Sequence, residues 1–573
     1  MTTAERLASA PDALASEYDV VIIGSGYGGA ITAARLGIAN DAAQANLRIA
    51  ILEQGDEHPT GAFPESQESA IAKVRSTINP LGIFQVDRNA DVDVIRASGL
   101  GGTSLMNFNV AIVPDREVFL ASWPKPFREA VERDPNGIGE LQTYFDRAAS
   151  MMGANKFAEG EDLARVEVFS EIAKNAGVKA QPLNITVNKE ERVTRYGVQR
   201  KPCPMHGNDG TGDNSFSKNT LMTNYLPMAH HFGVEMHTRI EVDQVAELSD
   251  GRWKVTGVRR SGNRGTTTTP FELRSKRVVL AAGTMGTNAI LMRSQKNGLN
   301  VSPRLGKNFS GNGDSFGIAY NTDRRTDTQA WSTTEGGQRA QLKCGPSITS
   351  VMRFGADQAD LRKRFTVEDL SIPRALVDVF RVGLMGLATV KYPDLRPAKV
   401  NRWRKDVQWN EDGAMNHSLG FLIMVHDNSD GELVLKDDGT AGIDWPGAPT
   451  ERMYKDVDAV LKPAVEAIGG TYIKNPWWAN TMFGNHLITA HPIGGCTTAD
   501  NVDGGVVDHA GRVFRKDGTV NDGLYVIDGS VVPRAVGVNP FLTISMFAER
   551  AADELRAEMG LPLYDAAREA DDR

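Results

Sequence analysis

The sequence predicts an α/β protein whose parallel-sheet domain is assembled from segments far apart along the chain. Two observations carry this. The β-branched run Tyr18–Ile23 passes into Gly24-Ser25-Gly26-Tyr27-Gly28-Gly29, a helical stretch Ala30–Leu36, and a second apolar run, Leu47–Leu52, closed by Glu53. Far downstream, Arg277–Leu280 repeats the order of apolar strand, glycine turn (Ala281-Ala282-Gly283-Thr284) and helix. Uninterrupted apolar runs of this length belong to strands buried on both faces.

Each part of the first unit has a physical task. Gly24 permits a tight turn, Gly26 lets backbone approach a pyrophosphate, and Gly29 lets helix and strand pack closely. The freed N–H groups and the positive helix end then face the phosphates. Glu53 stands where an acid accepts hydrogen bonds from an adenosine ribose. The unit is Rossmann-like and dinucleotide-binding, but the motif alone does not choose FAD over NAD.

The remaining elements follow in order. After an irregular stretch, Ala97–Asn109 forms a second glycine cluster, where backbone can lie close to a flat ligand. Glu140–Gly153 reads as a helix with Leu141, Tyr144, Phe145, Ala148 and Met152 on one face. Lys218–Ala229 is expected to be helical, and Val234–Val245 with Trp253–Val258 a strand pair. Strands are expected at Leu419–Val425 and Glu432–Leu435, and a helix at Glu451–Ile468. Leu524–Ile527 reads as a strand ending at Asp528-Gly529. Val538-Asn539-Pro540-Phe541 then leads into a helix, Leu542–Leu555.

A chain of 573 residues exceeds one ordinary core. The expected division gives 16–115, 211–318 and 485–560 to the dinucleotide-binding domain, and 116–210 and 319–484 to a second domain. An apolar share of 41%, a charged share of 24% and a net charge of −8 describe a globular protein. The negative balance excludes nucleic acid as the main partner, and the basic run Arg402–Lys405 reads as a solvated face. Met1–Tyr18 lacks the pattern of a secretory signal. The apolar tract Ala375–Val390 is broken by Asp378 and Arg381, which argues against a membrane span. Cys203, Cys344 and Cys496 have no metal-ligand spacing and suggest reduced thiols, so no metal and a cytoplasmic setting are expected.

Four segments together resemble the glucose–methanol–choline oxidoreductase family: the Gly24–Gly29 loop with Glu53, the Gly99–Asn109 cluster, Ala281–Thr284 with its helix, and the region from His491. Within it, His491–Cys496, Gly537–Phe541 and Phe216–Thr220 are most similar to the cholesterol oxidase branch. The resemblance implies an FAD-binding domain and an α+β substrate domain whose antiparallel sheet roofs the flavin. It implies that Gly24, Ser25, Gly26, Tyr27, Gly28, Gly29 and Glu53 hold the ADP half, with the Val242 backbone on adenine. Gly101, Gly102, Thr103, Asn107 and Val110 would line the isoalloxazine and ribityl region. Gly283, Asp528 and Gly529 would meet the ribityl–pyrophosphate stretch, and Asn539, Pro540 and Phe541 the ring edge. Neither His nor Cys stands in Gly99–Asn109 for covalent attachment, so the FAD is expected to be non-covalent.

Alcohol oxidation needs a base for the hydroxyl proton, and histidine suits that task near neutral pH. His491 lies in a Pro/Gly-rich turn, and the Asn539 amide can hold the substrate oxygen. Whether His491 is the base or orients the alcohol is open from sequence. His486 could line the same cavity, while His230-His231 end a helix. In cholesterol oxidases an active-site glutamate moves a double bond. Asp430, within Asp427–Glu432, stands near that position here, and its shorter side chain argues against isomerisation. The apolar-rich region 356–400, with Leu384 and Met385, reads as a helix packed on its sheet or as an amphipathic lid touching a membrane transiently. The expected function is FAD-dependent oxidation of a CH–OH group in a sterol-like or other bulky secondary alcohol, within steroid metabolism, using oxygen or another acceptor. Sugar oxidation with a non-oxygen acceptor, and a lyase or photodecarboxylase role, stand as alternatives.

Overall fold

In the computed structural model, which describes residues 6–332, 342–391, 393–474 and 486–563, the apolar run Glu17–Ile23 lies inside an eight-stranded sheet. Its parallel core runs in the order Glu235–His237, Ile49–Leu52, Glu17–Ile23, Thr267–Leu280 and Val520–Val526. Strands from both ends of the chain thus meet in one layer. Thr267–Leu280 is long enough to do two things. Its final residues pair in parallel with the core, and most of its length pairs antiparallel with Trp253–Ser261, which in turn carries Ile240–Glu247.

Two expected elements differ in detail. The run Val234–Val245 is divided, because Arg239 adopts φ 63° and turns the chain between a parallel edge strand and an antiparallel one. The helix expected over Lys218–Ala229 starts late, as a 3₁₀ turn Leu221–Thr223 followed by an α-helix, Tyr225–His231. Two polar residues explain the delay. The Asn224 side chain accepts the Tyr225 N–H at 2.6 Å, which favours a helix start there. Lys218 is buried upstream, its Nζ donating to the carbonyls of Asn107 and Asp209, each at 2.7 Å.

Helices Tyr27–Ala43 and Phe541–Glu558 pack side by side against the parallel sheet. A fully buried ion pair, Arg35 Nε to Glu549 Oε2 at 2.7 Å, joins them, and the Tyr225 hydroxyl donates to Glu549 Oε1 at 2.6 Å. Such a pair fixes register more than it adds stability. It aligns the N-terminal ends of the two helices, where Tyr27 and Phe541 stack with centroids 5.0 Å apart.

The second sheet has six antiparallel strands, ordered Thr471–Lys474, Asp314–Tyr320, Leu419–Val425, Phe365–Leu370, Ser350–Phe354 and Gln181–Pro182. Side chains alternate between its faces. Val367, Phe421 and Ile423 join the core that includes helices Ala164–Asn175 and Arg452–Glu466. The register Phe316–Leu422–Glu368–Val351 puts these four residues, with Asp314 and Ile318, on the other face. Part of that face meets Val110, Ile185 and Ile348. Ile318, Tyr320 and Ile473 meet Val377 and Leu384 of helix Arg374–Val390.

Candidate active site

Glycine identity in the first loop follows from close backbone approach. A Cβ on Gly28 would strike the Ile527 carbonyl, and one on Gly24 (φ 101°) or Gly29 would strike Ala281 or Gly24 itself. Gly26 differs: a Cβ there meets nothing within 4 Å. The loop is therefore closed on the protein side and open at the position where a pyrophosphate needs room. Gly26 and Pro540 begin helices with no side-chain cap, so the first N–H groups of both helices remain available to an anion.

Polar bonds tie the second glycine cluster to the first. Ser25 Oγ donates to Glu53 Oε2 at 2.6 Å and accepts from the Gly101 N–H at 3.0 Å. Gly102 lies against Gly26, where a Cβ would come within 2.9 Å of its Cα, and Thr103 continues the same 3₁₀ turn. Glu53 also accepts from the Ser25 N–H at 3.2 Å and the Gly55 N–H at 2.8 Å, and burial raises its pKa. A carboxylate has about four acceptor sites, so one is left for a ribose hydroxyl. Ile240 donates its N–H to the Glu53 carbonyl at 2.9 Å. Val242 follows on that strand, whose register shifts between Val242 and Gln244, loosening backbone groups from the ladder.

Asp528 organises a third side. It accepts from the Gly283 N–H at 2.9 Å and the Thr287 hydroxyl at 2.5 Å, and its other oxygen accepts from the Ser530 N–H at 2.9 Å. Gly283 (φ 73°) has open space at its Cβ position, and a Cβ on Gly529 would sit 3.2 Å from Thr284 Oγ1. The Tyr27 hydroxyl accepts from Asn107 Nδ2 at 2.6 Å. Asn107 is joined to Lys218, whose pKa burial brings down to about 8. Val110 is buried in the apolar cluster that meets the second sheet. These residues fit FAD: closed glycine packing, uncapped helix ends and an acid with acceptor capacity converge on one place.

The second sheet supplies two groups that sequence reading missed. His491 Nδ1 lies 2.8 Å from Asp314 Oδ1, and Asp314 Oδ2 accepts from the Thr489 hydroxyl at 2.9 Å and the Ala490 N–H at 3.0 Å. The His491 N–H donates to Thr489 Oγ1 at 2.9 Å. A carboxylate on Nδ1 holds the proton there, so Nε2 carries the lone pair. Asn539 Nδ2 donates to Glu368 Oε2 at 3.3 Å. Asn539 Oδ1 and Glu368 Oε1 are buried without partners. Burial, reinforced by neighbouring Asp369 and Asp314, drives the Glu368 carboxyl well above the usual carboxylate range. Asn312 brings the pieces together, its amide donating to the Val538 carbonyl at 2.8 Å and accepting the Val536 N–H at 2.9 Å.

Other expected residues lie elsewhere. Asp430 is exposed and accepts from Trp445 Nε1 at 2.6 Å, so the carboxyl beside Asn539 is Glu368 and the expectation built on Asp430 is corrected. Both ring nitrogens of His486 are engaged, one with Asp93 at 3.0 Å and one with the Ala90 carbonyl at 3.1 Å. A signal for Glu368 was present: Glu368-Asp369 interrupts a strand otherwise fit for burial, and a charge there needs a reason. Among the described residues, no group of three His, Cys, Asp or Glu could hold a metal, and no helix is long and apolar enough to cross a membrane.

Comparison with known proteins bears on the family and the fold. The N-terminal model described as GMC oxidoreductase matches residues 18–312, and the C-terminal model of the same description matches 451–548. A cholesterol oxidase of Mycobacterium tuberculosis is 26% identical, over 94% of this chain and 90% of its own length. A cholesterol oxidase of Acinetobacter baumannii is 24% identical over 95% of both chains. A long-chain-alcohol oxidase of Arabidopsis thaliana is 23% identical over 92% of this chain and 66% of its own. Among solved structures, a fungal aryl-alcohol oxidase aligns with a TM-score of 0.57 at 15% identity, over 96% of this chain and 100% of that one. A pyridoxine 4-oxidase from Mesorbium loti aligns with a TM-score of 0.55 at 16% identity, over 94% and 99%.

Proposed function

Because the chain belongs to the GMC oxidoreductase family, we propose that this FAD-dependent alcohol oxidoreductase acts on a bulky, largely apolar alcohol, sterols included, with His491 as its base. The observation that carries the reading is the Asp314–His491 contact of 2.8 Å beside the Asn539–Glu368 pair. His491 Nε2 has no protein partner among the described residues and takes the hydroxyl proton. Asp314 stabilises the imidazolium that results. Asn539 keeps one amide hydrogen free for the oxygen as its negative charge grows. FAD, when bound, accepts the hydride that leaves the carbinol carbon. Phe316, Leu422, Met424 and Val351, on the sheet face of Asp314 and Glu368, pack with Phe108 into one apolar cluster, and in this reading that cluster walls the proton transfer off from water.

That lining favours an apolar alcohol over a sugar, whose hydroxyls would lose their hydrogen bonds to water against such walls. The names of the cholesterol and long-chain-alcohol oxidases among its relatives agree with this choice. Glu368 adds a carboxyl able to take a proton from one carbon and return it to another, so a double-bond shift after oxidation is chemically available.

The test is anaerobic reduction of the bound flavin by a panel of sterols, long-chain alcohols, sugars and short alcohols. Bleaching by the apolar members is the expected result, and bleaching by sugars alone would overturn the reading. His491→Ala should keep its flavin yet be reduced at least about a hundredfold more slowly. Reoxidation by oxygen or a quinone then assigns the acceptor.

A further inference from the structure

Helix Arg374–Val390 has an unusual outward side. Its exposed positions run from Leu376 through Val379, Val382 and Gly386 to Val390, and none of its exposed positions is charged. The three- and four-residue spacing makes them one stripe. Leu376, Val379 and Val382 are 38%, 50% and 67% exposed. The charged residues of the helix are occupied at its flank, with Asp378 bonded to Arg374 at 3.0 Å and to Arg381 at 2.7 Å. Helix Gln67–Ala72 packs against this helix. Its Ile71 and the nearby Ile78 are 64% and 69% exposed. A surface helix ordinarily turns charge outward, and an aliphatic stripe continued on a second element marks an interaction face.

The charge around it is predominantly positive. From Arg374 to Asp406 the chain carries eight lysines and arginines against three aspartates, within a protein of net charge −8. Lys391 and Arg404 have no acidic partner among the described residues. The inner side of the same helix packs Val377 and Leu384 on Ile318, Tyr320 and Ile473, which extend the sheet face bearing Asp314 and Glu368. Leu384 is therefore core, only 2% exposed, and the outward groups are the valines.

We infer that this outward side, with Ile71 and Ile78, is a docking surface for an anionic lipid bilayer, from which an apolar alcohol reaches the site. The inference rests on the substrate reading above. Aliphatic side chains and glycines within a cationic rim match acyl chains beneath acidic headgroups. The stripe lacks the Trp, Tyr and Arg anchors that dominate protein interfaces.

The test uses full-length holoenzyme and sedimentation with phosphatidylcholine–phosphatidylserine vesicles against pure phosphatidylcholine. Stronger binding to the mixed vesicles, weakened by salt, is expected. Val379→Asp with Val382→Asp should lower the bound fraction about tenfold, with the flavin spectrum and turnover of a water-soluble alcohol unchanged. Lys391→Glu with Arg404→Glu should remove the preference for the acidic lipid. The serine pair Val379→Ser with Val382→Ser covers the case in which aspartates disturb folding, and should also reduce binding. Equal sedimentation of wild type and all variants, or none by the wild type, overturns the inference. So does loss of the stripe's exposure in a protein dimer. Vesicle binding without flavin bleaching by any alcohol would remove the substrate reading and leave the docking surface standing.

Discussion

The parallel sheet and the antiparallel sheet address the same site with different parts of the polypeptide. At the parallel sheet, Gly24, Gly28 and Gly29 close on main-chain atoms, and two uncapped helix ends present N–H groups. At the antiparallel sheet, Asp314 and Glu368 present carboxyl groups from neighbouring parts of one face. A pyrophosphate is best met by close backbone, where a side chain would be in the way. Proton transfer needs a side chain whose ionisation its surroundings can tune. Under the proposed function, holding a cofactor and moving a proton fall to separate layers.

The comparison can be broken most sharply at the glycine loop. Gly28→Ala would drive a Cβ into the Ile527 carbonyl. It should leave purified protein with less than about a tenth of the normal flavin-to-protein absorbance ratio, because overpacked backbone cannot relax cheaply. Gly26→Ala meets open space and should fold normally, with a fall in FAD affinity alone. At the other layer, Asp314→Asn should retain flavin and slow its reduction about a hundredfold, since the amide no longer stabilises the imidazolium. A rate unchanged across pH would remove Asp314 from the proton path. Glu368→Gln should alter flavin reduction by less than about tenfold while abolishing any double-bond shift, read by product absorbance.

A separate effect, away from both layers of the site, concerns stability. Burial pushes Asp406 from the ordinary 3.8 up to about 7. The stability this group contributes is fully present below the ordinary value and is lost as pH rises through about 7. Asp406→Asn should flatten that decline. Its stability relative to wild type should rise by about 3–4 kcal/mol between pH 4 and pH 8 in urea titrations; parallel curves would reject the assignment.

Legibility in the sequence divides along the same line. The Gly24–Gly29 loop could be read because glycine is itself the signal, and its flanking strands are local. His491 and Asn539 were read through motif resemblance. Asp314 and Glu368 were not, because each becomes meaningful only through strand register and through partners far away in sequence, Asp314 with His491 and Glu368 with Asn539. Asp430 was matched to the glutamate of cholesterol oxidases by its position along the chain, whereas the acid bonded to Asn539 sits in an apolar strand. The late start of helix Tyr225–His231 was hidden for a related reason: Lys218 bonds to carbonyls that only the fold brings near it.

The dual pairing of Thr267–Leu280 has a consequence for biosynthesis. Its antiparallel partner is its near neighbour in sequence, so that ribbon can form as soon as it is made. Its parallel partners are Glu17–Ile23 and Val520–Val526, contacts of very long sequence separation that form slowly. Asp528 and Phe541 arrive with the last of these segments. A nascent chain therefore keeps an incomplete nucleotide site until helix Phe541–Glu558 has docked, and cofactor capture becomes a late step of folding.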